Sequence, residues 1–86
     1  MTVKGLNKIF AANVTKYRLE AGLTKKALAS KAHLNRSTIR EIENYYSNIE
    51  LRTCLQIAEA LNVEVFQLYM NDFENNAFGR FLNEKH

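Results

Sequence analysis

TKKALASKAHLNRSTIREIEN, residues 24–44, is the stretch on which the fold turns. Thr24 is a good N-cap for a helix from Lys25, because its hydroxyl can accept a backbone N–H of the first turn. Ala27, Leu28 and Ala32 supply an inward face, and the small alanines allow another helix to come close. His33-Leu34 reads as a turn with Leu34 pointing inward. Asn35 then caps a second short helix through Glu43. Ile39 and Ile42, three apart, go inward, which leaves Arg36, Ser37, Arg40 and Glu41 outside. That outward face carries donors and acceptors and no large apolar group. It suits the mixed edges of base pairs in a major groove. A solvated helix face has the same composition, so on this helix alone the two readings stand level.

Outward from this stretch, the chain reads as helices throughout. Leu6, Phe10, Val14 and Tyr17 fall at helical spacing and predict a first helix over Leu6–Ala21, with Met1–Gly5 a loose tail and Gly22 the stop. Asn44 to Glu50 is a loop. A fourth helix is expected over Leu51–Leu61, with Leu51, Cys54, Leu55, Ala58 and Leu61 inward and Asn62 ending it in a left-handed conformation. A short fifth helix over Glu64–Tyr69 buries Val65, Phe66 and Leu68 or Tyr69. In residues 71–86, Phe73, Ala77, Phe78, Phe81 and Leu82 have the spacing of a sixth helix. So much aromatic surface belongs either on the core or against a second copy of the chain.

Composition agrees and excludes several classes. The chain has 86 residues, 47% of them hydrophobic and 24% charged, enough for one small core. It has no proline and three glycines, which favours helices with short connections over a sheet. No apolar run approaches a membrane span and the first residues lack a secretory signal, so a cytoplasmic location is expected. Cys54, the single cysteine, is expected to be a small buried hydrophobe. No zinc-ligand spacing, phosphate loop or catalytic constellation is present, so neither enzyme activity nor a metal or cofactor is expected. Charge is unevenly placed: residues 1–40 hold nine basic side chains and one acidic, residues 41–86 three basic and eight acidic. A polyanion or an acidic protein would each suit the basic half.

Three segments, YRLEAGLTKKALA (17–29), LNRSTIREIEN (34–44) and LRTCLQIAEALNVEVFQLY (51–69), resemble in register the Cro and phage-repressor family of helix-turn-helix domains, the xenobiotic-response-element type. The resemblance implies an all-α, compact five-helix bundle like lambda repressor over residues 6–70, with the motif at 24–44 and residues 71–86 as an extension. It implies a sequence-specific regulator of transcription that binds double-stranded DNA as a homodimer, with the third helix in the major groove. Repression is the expected outcome. A protein-interaction module or antitoxin-type partner protein keeping the same fold is the alternative, with the extension as the surface for that partner. By position, Lys25 matches a residue that meets phosphate or a base edge. Arg36, Ser37 and Glu41 match base readers, Asn35, Thr38 and Arg40 match backbone or flanking contacts, and Asn44 opens the loop that meets phosphates. Arg18 and Glu43 match a structural ion pair. Two departures stand out: His33 and Tyr45 replace usual glycines. A left-handed His33 costs about 1 kcal/mol, so a somewhat different turn is expected there.

Overall fold

The computed structural model describes residues 2–44 and 48–71. The expectations for Tyr45–Ser47 and for a sixth helix beyond Asn71 lie outside the described residues. Five helices follow one another: α1 Val3–Glu20, α2 Lys25–Ala32, α3 Arg36–Glu43, α4 Leu51–Leu61 and α5 Val65–Leu68. Among the described residues there is no strand. Nor is any helix long and apolar enough to cross a membrane.

Thr2–Gly5 are not a loose tail. The Thr2 hydroxyl accepts the Gly5 N–H at 2.9 Å, a side-chain cap that starts α1 at Val3 instead of Leu6. Thr24 does the same for α2, accepting from Ala27 at 3.0 Å. Asn35 occupies the N-cap of α3, but its side chain makes no capping bond. Its main-chain carbonyl accepts from Thr38 and Ile39 instead, at 3.0 and 3.4 Å.

Three helices end in the same way. After α1, Gly22 has φ +70°, with Gly22 N–H on Leu19 O and Leu23 N–H on Arg18 O. After α2, His33 has φ 61°, with His33 N–H on Ser30 O and Leu34 N–H on Ala29 O. After α4, Asn62 has φ 58°, with Asn62 N–H on Glu59 O and Val63 N–H on Ala58 O. Each is a Schellman turn, in which a left-handed residue lets its own N–H and that of the next residue close on the last carbonyls. The residue that follows, Leu23, Leu34 or Val63, packs on the core. His33 therefore keeps the left-handed turn that a glycine would make more easily. The apolar contact of Leu34 and two hydrogen bonds offset the strain.

The core is built from Phe10, Val14, Leu28, Ile39, Ile57 and Leu68, all fully buried, with smaller residues between them. On α2, Leu28, Ala29 and Ala32 are buried and Ala27 is only half-buried, so the inward face is rotated towards Ala29. The face of α4 is also rotated from the expected one. Cys54, Ile57, Ala58, Ala60 and Leu61 are buried, while Leu51 and Leu55 are 68% and 51% exposed. On α5, Leu68 is buried and Phe66 is exposed. Cys54 is buried as expected, its Sγ 3.3 Å from the Tyr69 hydroxyl. Burial, and then the hydrogen bond to Cys54, push that hydroxyl above its usual range, so it stays protonated. The Tyr69 ring also lies 4.9 Å from that of Phe10, linking α1, α4 and the end of α5.

A polar tie that the sequence did not suggest fixes α5. Asn13 is buried on α1, and its Nδ2 donates to Leu68 O at 2.9 Å and Met70 O at 2.7 Å, with Gln67 O at 3.3 Å. It thus satisfies carbonyls that a helix four residues long leaves open. Gln67 Oε1 closes the other end, accepting from Glu64 N–H at 2.8 Å.

The rotation of α4 sets a direct comparison. Ile57→Ala should cost about 2–5 kcal/mol in urea unfolding, as expected for a truncated core side chain. Leu55→Ala should stay within about 0.5 kcal/mol, as at exposed positions. Equal losses would return Leu55 to the core. At the turn, His33→Gly should raise stability by up to about 1 kcal/mol, the strain it removes, and a clear loss of stability would mean that the His33 side chain contributes more than its backbone conformation costs.

Candidate nucleic-acid interface

The geometry of the helix-turn-helix rests on a buried ion pair. Arg18 Nε donates to Glu43 Oε2 at 2.9 Å and Nη2 to Glu43 Oε1 at 3.1 Å. Arg18 Nη1 donates to Leu23 O at 2.9 Å, and Thr15 Oγ1 donates to Glu43 Oε1 at 2.8 Å. The two side chains are 10% and 5% exposed, so both charges are held by partners and not by water. Glu43 closes α3 and Leu23 leads into α2. The one network therefore sets both helices of the motif against α1. Gln56 adds a second brace from α4, its Nε2 donating to Ala32 O at the end of α2 at 3.1 Å.

With Ile39, Ile42 and Glu43 turned inward, α3 shows its other side to solvent. Arg36, Ser37, Arg40 and Glu41 are exposed, and Asn44 continues the same row at the helix end. Asn35 is also exposed, and its side chain makes no capping bond. Thr38 differs: it is half-buried and borders a cleft with Ile42, Asn48, Ile49, Glu50 and Thr53, on the side of α3 that faces the start of α4.

Lys25 is brought to this face by α2. Thr24, Lys25, Lys26, Arg36 and Arg40 line one open cleft where the first turn of α2 meets α3. Four cations share it and no carboxylate lines it. None of the four side chains has an ion pair or hydrogen bond among the described residues. The structure thus brings Lys25, Arg36 and Arg40 together, keeps Ser37, Glu41 and Asn44 on the adjoining face, and sets Thr38 apart. Lys26 belongs to the cleft and was not foreseen. Its place in the first turn beside Lys25 could have suggested it. Among the described residues, no group of three or more His, Cys, Asp or Glu side chains could hold a metal ion.

An all-α bundle with a second short helix braced across its surface is the architecture of DNA-binding helix-turn-helix regulators. The helix-turn-helix family model HTH_3 matches residues 14–68, and the chain belongs to this family, the Cro/C1 type. Among solved structures it is similar to the hypothetical transcription factor NHTF from Neisseria, with 26% identity and a TM-score of 0.82 over 90% of this chain and 86% of that one. It is also similar to the restriction-modification controller protein C.AhdI from Aeromonas hydrophila, with 28% identity and a TM-score of 0.71 over 73% and 96% of the two chains. The controller C.Esp1396I matches at 30% identity and a TM-score of 0.69 over 74% and 86%. No curated protein matches. The chain is therefore a DNA-binding helix-turn-helix protein of the transcription-regulator class.

Removing one partner of the pair should be costly. Glu43→Ala leaves the Arg18 guanidinium buried with Leu23 O as its remaining acceptor, and should lower stability by about 3–5 kcal/mol. Replacing both, as Arg18→Met with Glu43→Leu, should cost much less, because no charge stays buried. Denaturant titration of the three chains checks this, and an equal cost for both changes would show that packing, not charge, dominates.

Proposed function

We propose that the chain is a sequence-specific regulator of transcription that reads duplex DNA through α3 and acts as a homodimeric repressor in the cytoplasm. The observation that carries this reading is the cation-lined cleft opening onto the free polar face of α3. In the proposed complex α3 lies in the major groove. Arg36 is the residue best suited to pair bidentately with a guanine, while Ser37 and Glu41 meet neighbouring base edges. Lys25, Arg40, Asn35, Thr38 and Asn44 contact the backbone or flank the bases and fix the register. The helical unit, expected over residues 6–70, carries the binding. Leu51 and Leu55 are one turn apart and exposed on α4, and offer apolar area for a second copy, with residues 71–86 adding to that contact. Occupancy of a promoter by the dimer then blocks transcription. The likeness to two restriction-modification controller proteins supports a regulatory role.

A salt titration tests this. The logarithm of affinity for duplex DNA should fall linearly with the logarithm of salt concentration, as neutralised phosphates release counterions. Arg36→Ala should lose about 1–3 kcal/mol of discrimination at one base pair, while Lys25→Ala weakens all sequences alike. Two chains should bind per operator. Absence of binding at low salt would end the DNA reading, and a uniform loss for Arg36→Ala would move that residue to the backbone.

A further inference from the structure

The basic half of the chain extends past the motif. Because the Thr2 cap starts α1 at Val3, Lys4 is a helical residue and not part of a loose tail. Lys4 and Lys8, four apart, stand on one face of α1, and both are exposed. They belong to a single row. At spacings of four and three residues it continues through Ala11, Thr15 and Arg18. The later members of that row face α3: Ala11 is buried, and Thr15 and Arg18 bond to Glu43 at the end of α3. Further along the same side, Asn7 Nδ2 donates to Asn48 Oδ1 at 3.2 Å. Asn48 lies five residues beyond Glu43. One side of α1 therefore meets first the end of α3 and then the segment that follows it. Lys8 and Lys4 stand on that side, roughly 15 and 21 Å along the helix from Arg18 at 1.5 Å per residue.

Neither lysine has an ion pair or hydrogen bond among the described residues. Helix α1 offers them no carboxylate before Glu20, at its far end. Two unpaired cations held one turn apart on a capped helix form a fixed positive edge. We propose that Lys4 and Lys8 are a second phosphate-binding site for duplex DNA, beyond the opposite end of α3 from the Lys25–Lys26–Arg36–Arg40 cleft. This rests on the DNA reading above and deepens it. The site takes backbone phosphates outside the base pairs that α3 reads, so it adds affinity without sequence preference.

The test is the salt dependence of binding by the full chain with Lys4→Gln and Lys8→Gln together. Loss of two phosphate contacts should lower the slope of log affinity against log salt by about 1.8, so that the fall between 50 and 200 mM salt becomes about tenfold smaller. The ratio of specific to random-sequence affinity should not change. Lys4→Arg with Lys8→Arg should keep the wild-type slope, and so should Lys31→Gln, which removes an exposed cation at the other end of α2. Wild-type binding with an unchanged slope in the glutamine variant overturns the site and leaves the DNA reading standing. A Lys31→Gln effect as large as that of the pair also overturns it, by showing that only total charge counts. A wild-type chain that binds no duplex at low salt overturns the DNA reading itself.

Discussion

Everything that α3 presents depends on where the Arg18 guanidinium is held. An arginine buried on α1 requires acceptors for its N–H groups, and Glu43 and Leu23 O supply them from either end of the motif. Glu43 in turn is fixed twice, by Arg18 and by the Thr15 hydroxyl. A bidentate guanidinium–carboxylate pair is selective for angle as well as distance. It therefore adds a fixed angle between α3 and α1 to the buried contacts of Ile39 and Ile42. The energetic return of such a pair over an apolar replacement is small. What it supplies is a defined orientation, which matters most for a helix whose opposite face must meet a rigid surface.

Orientation also needs short helices that stop sharply. α2 and α3 have eight residues each, a length at which an isolated helix is marginal in water. The Schellman turns at Gly22, His33 and Asn62 make the ends of α1, α2 and α4 definite, and the apolar residue after each packs on the core. The turn between α2 and α3 is the demanding one, because the left-handed position holds histidine. Its backbone bonds to Ala29 O and Ser30 O match those made at Gly22 and Asn62, so geometry and not residue type decides the conformation.

How much of this was legible follows from which features are local. Thr24, Gly22 and Asn62 act on their own turns, so the start of α2 and the ends of α1 and α4 could be placed from sequence alone. The Arg18–Glu43 pair came only by resemblance, because it joins residues 25 apart. The faces of α4 were harder. Leu51 and Leu55 continue a helical apolar stripe as well as Ile57 does, and only the position of α2 and α5 around α4 decides which leucines are covered. Asn13 was invisible for the same reason: a buried amide is identified by the carbonyls of α5, 54 and more residues away. The start of α1 lies earlier than the core stripe marks it: Val3 keeps the helical spacing to Leu6 but is exposed, and it is the Thr2 cap that fixes the first turn. At the candidate site, the exposure of Arg36, Ser37, Arg40 and Glu41 followed from the inward isoleucines. That Lys26 joins them depends on the packing of α2 against α3.

The balance of charge on the proposed interface argues for reading as well as for attraction. Lys25, Lys26, Arg36 and Arg40 repel one another across their cleft, and an anion relieves that repulsion. Attraction of this kind is indifferent to sequence. Glu41 works against it: an exposed carboxylate on the same helix is repelled by every phosphate it approaches. Its cost is recovered only where a donor such as the amino group of a cytosine faces it. A surface meant only to hold DNA would gain from a neutral or basic residue at this position. On the proposed reading, Glu41 therefore lowers affinity for most sequences and leaves a smaller set favoured, and the cations around it supply the excess affinity that makes such discrimination tolerable.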